Sequence, residues 1–241
     1  MKKLLIEGVI IFSSIISSLS LENYRQESEQ KNILKESILT LTYEINENIN
    51  YTEEHLYQLK NLKLLNQKII ADFENIDIKR IYDLHKTYPF IHSIDIDGEV
   101  KYMNDFPEDF GIVMFISWLA WEPADIFFQS MLYSGKLLEI KDNKLRTEIE
   151  SIYTKHEESV TGMTQRTEEV SNEINKWFKY NRDLFVNDIT FDEVFMENKN
   201  RKLKNLLSEK NDVINARISS LQFYLKSLKN LNENIKSDYQ K

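Results

Sequence analysis

Glycine and proline, the residues that break helices most strongly, are scarce in this chain, with 5 glycines and 3 prolines among 241 residues. Because so few positions can interrupt an α-helix, the sequence predicts long helices. Hydrophobic residues make up 41% of the chain and aromatic residues 12%, which is enough to build a core. We therefore predict a folded, mainly α-helical protein rather than a disordered one.

Charge and cysteine usage exclude several classes of function. The formal net charge is -8, and the basic residues are interleaved with acidic ones. Because phosphate binding needs a concentrated positive face, nucleic acid is not expected as a partner. The chain contains no cysteine, which excludes disulfides, thiolate nucleophiles and zinc sites built on sulfur.

The N-terminal segment is apolar from residue 4 to residue 21 apart from a glutamate at Glu7 and several serines. Its length is at the lower limit for crossing a bilayer, so we predict a transmembrane anchor over residues 1–25 that contacts membrane lipid through residues 4–21. A cleaved secretory signal ending near Ser18-Leu19-Ser20 and a soluble buried helix are the alternatives. Glu7 inside the apolar stretch, and the helical pattern that continues from Glu22, favour the uncleaved anchor.

Orientation rests on the lysines and arginines that flank this segment, which are nearly balanced in number. Because a long C-terminal domain is translocated largely regardless of charge, we predict a single-pass protein of the bacterial inner membrane. Its N-terminus is predicted to be cytoplasmic, and the helical domain over residues 26–241 periplasmic.

Three long segments repeat apolar residues at steps of three and four, namely Leu34 to Leu59, Leu145 to Trp177 and Leu207 to Ile235. This spacing predicts an antiparallel bundle of long helices or a coiled coil. In the last segment the predicted buried seam alternates steps of four and three: Leu207, Asn211, Ile214, Ile218, Leu221, Leu225, Leu228, Asn232 and Ile235. We expect this seam to close within the chain rather than on a second subunit.

The region between the first two long helices is irregular. Residues 77–88 predict a short helix ended by Pro89, and residues 91–103 predict a small β-hairpin turning at Asp97-Gly98. The apolar run over residues 110–121 is too short to cross a bilayer and is expected to be buried, with a partner surface or membrane contact as the alternative. Pro123 and Gly135 predict the start and the stop of a further compact helix over residues 123–134.

Several of these residues also carry a family resemblance. The chain resembles an uncharacterised bacterial family of single-span membrane proteins, domain of unknown function 6090, through Glu7 and the segments Glu22-Asn23-Tyr24-Arg25, Trp121-Glu122-Pro123-Ala124-Asp125 and Ser134-Gly135-Lys136-Leu137-Leu138. The resemblance covers the start and the middle of the chain. It implies a membrane anchor followed by a helical domain, and it implies no catalytic residue.

Only one segment suggests an enzyme. Asp95 and Asp97 resemble the aspartate pair of haloacid-dehalogenase-type phosphatases, which also require a parallel α/β sheet that this sequence does not predict. The histidines lack the spacing that would place two imidazoles on one helical face, and Glu53-Glu54-His55 and His156-Glu157-Glu158 read as solvated helix. We therefore predict no catalytic, cofactor-binding or metal site.

The function predicted from these features is that of a membrane-anchored helical subunit of an envelope complex, with a protein partner or as a homo-oligomer. The alternative is an extracytoplasmic ligand-sensing domain whose pocket is formed by the hairpin and residues 110–121. For that pocket the sequence offers Glu122, Asp125 and Gln129 as nearby polar groups. A metal-dependent phosphatase is the least favoured of the three.

Overall fold

The computed structural model describes the backbone of residues 2–94 and 100–239, and the side chains of residues 13–93 and 100–239. In chain order its elements are α1 (Lys2–Ala71), α2 (Ile78–Thr87), β1 (His92–Ile94), β2 (Val100–Tyr102), α3 (Gly111–Ile116), α4 (Ile126–Tyr133), α5 (Lys136–Glu139), α6 (Asn143–Ser151), a π-helical turn (Ile152–His156), α7 (Glu157–Arg182), α8 (Phe191–Asn198) and α9 (Arg201–Tyr239). The prediction of a mainly helical protein with a small antiparallel hairpin is confirmed.

Local capping explains where several short helices begin and end. Asp77 accepts a hydrogen bond of 2.7 Å from the backbone N–H of Arg80 and caps α2, which therefore begins at Ile78, one residue after the predicted start. Thr190 and Glu193 form a reciprocal capping box at the start of α8. Gly135 follows α4 with φ of +76°, a conformation that favours glycine, so its predicted role as a helix stop is confirmed.

The two strands pair antiparallel, with His92 opposite Tyr102 and Ile94 opposite Val100. The connection between them, with Asp95 and the predicted Asp97-Gly98 turn, lies outside the described residues. The strands place His92 and Tyr102 side by side, with ring centroids 4.3 Å apart.

The structure does not support the predicted membrane anchor over residues 1–25. Among the residues that the structure describes, no helix has a stretch long and apolar enough to cross a membrane. The predicted single-pass location in an inner membrane is overturned by the same finding. The side chains of residues 1–12, with Glu7, lie outside the described ones.

The chain divides into two compact units, and the long helices contribute residues to both. Unit 1 comprises residues 1–46, 125–148 and 231–241, and unit 2 comprises residues 47–124 and 149–230.

Unit 1 has a buried carboxylate at its centre. Glu44 on α1 is 1% exposed, and its two carboxylate oxygens accept hydrogen bonds from the backbone N–H groups of Phe127 and Phe128 at 2.6 and 3.2 Å. These are orphan donors of the first turn of α4. The side chain of Asp125, directly before α4, makes no capping bond, so Glu44 supplies the cap from another helix. This contact explains why α4 begins at Ile126 rather than at the predicted Pro123.

Unit 2 is an antiparallel helical bundle, as predicted. Helices α1 and α9 are antiparallel: Glu53 bonds to Lys229, whereas Lys63, later in α1, bonds to Asn215, earlier in α9. Helices α7 and α9 are antiparallel as well: Ser159 bonds to Ser220, whereas Arg166, later in α7, bonds to Glu209, earlier in α9. The core between these helices is formed by apolar side chains at steps of three and four, as in other bundles.

The buried face of α9 differs from the predicted seam in every second position. Ten positions separated by steps of four and three are buried: Leu203, Leu207, Lys210, Ile214, Arg217, Leu221, Tyr224, Leu228, Leu231 and Ile235. Asn211 and Leu225 were predicted to lie in the seam, but both are only half-buried, whereas Lys210, Arg217 and Tyr224 take the central positions. Ile218 and Asn232 are also buried, at the edge of this face.

Candidate functional site: a polar cavity in unit 2

A cavity of about 480 Å³ lies within unit 2. Its volume is within the range of small-molecule sites, which is roughly 300–1,000 Å³. It is lined by polar and aromatic side chains from α1 and by two short backbone segments: Tyr51, Glu54, His55, Gln58, Phe90, Ile91, His92, Ser117, Leu119 and Ala120.

The α1 wall of the cavity follows from helical spacing. Tyr51, His55 and Gln58 are four and three residues apart, so their side chains project from one face of the helix. Glu54 lies next to this row, closer to solvent. Facing them, Phe90, Ile91 and His92 lead from the end of α2 into β1.

The opposite wall is an extended segment, residues 117–121, that follows α3. Leu119 has φ of +55°, a left-handed conformation that is uncommon for a residue other than glycine. Such a conformation persists only where the surroundings hold it. Arg217 on α9 supplies that hold, since Nη1 donates to the carbonyl of Trp118 and Nη2 to the carbonyl of Leu119, both at 2.6 Å.

Further contacts fix the same segment on both sides. Lys210 lies two helical turns before Arg217 on α9, and its Nζ donates to the carbonyl of Phe115 at 2.5 Å, at the C-terminal end of α3. A cation is favourable there because the last carbonyls of a helix carry partial negative charge. Beyond the segment, Asn48 both donates to and accepts from the backbone of Ala124, at 2.7 and 2.8 Å.

Lys210 and Arg217 are fully buried cations without a carboxylate partner among the described residues. Burial lowers the pKa of Lys210 to about 7 and that of Arg217 to about 10. Arg217 therefore keeps its positive charge at neutral pH. Backbone carbonyl dipoles and one imidazole are its hydrogen-bond acceptors, so the charge beside the cavity is solvated but not neutralised by them.

The imidazole of His55 is fixed in one tautomer by this arginine. Nη2 of Arg217 lies 2.7 Å from Nε2 of His55, and a guanidinium can only donate, so Nε2 accepts. Burial, and then the charge of Arg217, lower the pKa of His55 to about 3, so the ring is neutral at physiological pH. Its proton is therefore on Nδ1, which forms no hydrogen bond with a described residue.

A polar cluster lies at the mouth of the cavity. The amide of Gln58 lies 3.1 Å from Nδ1 of His92, and Nε2 of His92 lies 3.5 Å from the carboxylate of Glu54. The hydroxyl of Tyr102 also donates to Glu54, in a short hydrogen bond. Burial and this carboxylate raise the pKa of Tyr102, which keeps the phenol protonated.

Aromatic stacking supports the α1 wall from behind. Trp121 stacks on Tyr51 with ring centroids 5.0 Å apart, and Tyr224 meets Trp121 edge-on at 5.6 Å. Such arrangements stabilise a core beyond the area that they bury. The ring of Tyr51 is thereby held in place at the cavity surface.

The site agrees in part with the alternative predicted from the sequence. Residues close to the hairpin and part of the run over residues 110–121 do line a cavity. The three polar groups expected there do not line it: Glu122, Asp125 and Gln129 are elsewhere, and Gln129 donates to Asp125 at 3.1 Å.

Sequence reasoning missed the groups that organise the cavity. His55 was interpreted as part of a solvated helical turn, but it is 3% exposed. Lys210 and Arg217 were not singled out, although both fit the step of four and three from Leu207 and Ile214. The sequence did contain a signal for them, because each is a positively charged residue at a position that the repeat of apolar residues assigns to the core.

The described residues offer no group of three or more His, Asp or Glu side chains that could hold a metal ion. No family model, no curated protein and no solved structure matches this chain. The resemblance to domain of unknown function 6090 stays a prediction.

Proposed function

We propose that this chain is a ligand-binding protein whose site is the cavity of unit 2. The observation that carries the proposal is the cavity wall over residues 117–121, which the buried Arg217 holds in a strained conformation at Leu119. A second buried cation, Lys210, donates to the carbonyl of Phe115 just before this wall. Buried charges without ion-pair partners cost stability, so their presence behind a cavity wall favours a role in a site over a purely structural one.

The chemistry of the lining supports binding rather than catalysis. The hydroxyl of Ser117 donates to the carbonyl of Val113 at 2.7 Å, so it is not oriented toward a base as a nucleophile would be. His55 is held neutral by Arg217 and cannot accept a further proton near pH 7. These groups can present donors and acceptors to a ligand without exchanging protons with it.

The predicted role as an interaction subunit stays a prediction. Its place in the structure would be the exposed apolar side chains of α4 and α5, among them Ile126, Tyr133 and Leu138.

Filling the cavity tests the binding proposal. Ala120 lines the cavity and has an exposed side chain, so Ala120→Trp adds an indole there without disturbing the core. Ala216→Trp, on the exposed face of α9, is the matched control. Ligand-observed NMR with a fragment library should find compounds that bind the wild type and the control but lose binding to Ala120→Trp. If no fragment binds, or if all bind the three proteins equally, the cavity is not a ligand site.

A further inference from the structure

The inference drawn here rests on the proposed function and concerns the charge of the ligand. Among the described residues that line the cavity, Glu54 at its mouth is the acidic one, whereas the charge behind the inner wall is positive. Which of these two charges a ligand meets decides whether the site selects cations, anions or neutral compounds.

The inner part of the site offers a hydrogen-bond donor on His55. Arg217 occupies Nε2 of His55, so Nδ1–H of His55 is left as a donor on a residue that lines the cavity. The positive guanidinium on the opposite nitrogen polarises this N–H and strengthens its hydrogen bond to a negative acceptor. Within the part of the chain that the structure describes, neither Arg217 nor Lys210 forms an ion pair with a carboxylate that would cancel its field.

The acidic side chain at the mouth is already engaged. Glu54 accepts from Tyr102 and lies near His92, and its side chain is 51% exposed. Solvent therefore screens its charge more effectively than the charge of the buried Arg217. The carboxylate of Glu54 consequently has less influence inside the cavity than its formal charge suggests.

We infer that the cavity binds a small aromatic anion, whose carboxylate or equivalent group accepts a hydrogen bond from Nδ1 of His55 while its ring lies among Tyr51, Phe90 and His92. Aromatic walls suit a planar ring, because stacked and edge-on contacts add to the burial of its surface. Tyr51 is held by Trp121, so one of these walls is preorganised.

Three probes of one shape and different charge test this inference: naphthoate, naphthamide and naphthylmethylammonium. Binding is measured by isothermal titration calorimetry. Naphthoate should bind at least about tenfold more tightly than the other two, the factor expected when a charge-assisted hydrogen bond replaces a neutral one. Ala120→Trp should abolish its binding.

Two sets of variants separate the anion from a cation. Glu54→Gln removes a like charge from an exposed position, so it should tighten naphthoate binding by about three- to tenfold and leave naphthamide unchanged. His55→Phe removes the Nδ1–H donor and should weaken naphthoate binding by more than about tenfold. His55→Gln, which can still accept from Arg217 and donate to the ligand, should retain most of it, and circular dichroism reports whether each variant folds.

The contrary results are distinct. If naphthylmethylammonium binds most tightly and Glu54→Gln weakens its binding, the site selects cations. If the three probes bind equally, the site does not discriminate between ligands by their charge. If none of the three binds while neutral fragments still bind in a way that Ala120→Trp blocks, the inferred ligand class is wrong and the cavity remains a binding site. Failure of the fragment experiment itself removes the proposed function.

Discussion

Lys210 combines a positive charge with complete burial and a single backbone acceptor. Its pKa is lowered from the ordinary 10.5 to about 7 by burial. Between these two values the unfolded chain binds a proton that the folded chain has released, so the wild type gains stability as the pH rises from 7 to 10.5. Below pH 7 the ammonium is charged in both states, and the full cost of burying it remains.

Lys210→Met should therefore change the free energy of unfolding by an amount that depends on pH. Relative to the wild type, the variant should be most favoured below pH 7 and lose this advantage, on the order of a few kcal/mol, by pH 10.5. Met also removes the hydrogen bond to Phe115, which shifts the difference in free energy of unfolding between variant and wild type at every pH. The decisive quantity is therefore how this difference changes with pH, and not whether it is positive or negative at one pH. Urea unfolding at several pH values measures it. Lys226→Met, at an exposed position of the same helix, should give a flat difference, and a flat difference for Lys210→Met would contradict the assignment.

Lys210 also shows which buried residues of α9 could not be predicted from the sequence. Leu207, Ile214, Leu221, Leu228 and Ile235 were placed correctly in the seam, because aliphatic residues at these steps have no better location than a core. Lys210 and Arg217 were not, because the pattern assigns charged side chains to the solvent. Only contacts from residues 115–119, about a hundred positions earlier in the chain, make their burial tolerable.

The helix boundaries that depend on residues next to the helix could be predicted from the sequence, whereas those that depend on distant residues could not. Asp77 and Gly135 act on their own helices, and both positions were predicted. The start of α4 depends on Glu44, more than eighty residues away, so no local pattern could give it. The interruption of α3 by the extended segment over residues 117–121 has the same kind of cause, since its contacts lie on α9.

Glu44→Gln tests the cap of α4. An amide has one acceptor where the carboxylate has two, and its NH₂ group would face a backbone donor, so we expect a loss of about 1–3 kcal/mol in the free energy of unfolding. Glu47→Gln, one turn further along α1 and exposed, should change it by less than about 0.5 kcal/mol. Denaturant unfolding of the two variants gives the comparison. Equal losses in both would mean that the carboxylate of Glu44 does not cap α4.

For the whole molecule, the sequence predicted the helical class, the antiparallel bundle and the hairpin, because these follow from a scarcity of breakers and from periodicity. It failed on the location of the chain, since the apolar segment near the N-terminus was interpreted as a membrane span. It also gave no indication of the division into two units, whose four boundaries fall inside α1, directly before α4, inside α6 and inside α9, so that three of them lie within helices. A boundary inside a helix leaves no linker composition to detect.

The seam of α9 allows a test of whether the fold is complete in one chain. Leu221 has no exposed surface within the single chain, which agrees with the expectation that this seam closes internally. Leu221→Asp would bury an unpaired carboxylate, at a cost of several kcal/mol that can exceed the stability of a typical domain. We expect the full-length variant to lose its cooperative thermal transition by circular dichroism. Gln222→Asp, exposed on the next position, should keep it. If Leu221→Asp instead stays folded and light scattering shows a wild-type dimer becoming a monomer, the seam is an interface between two chains.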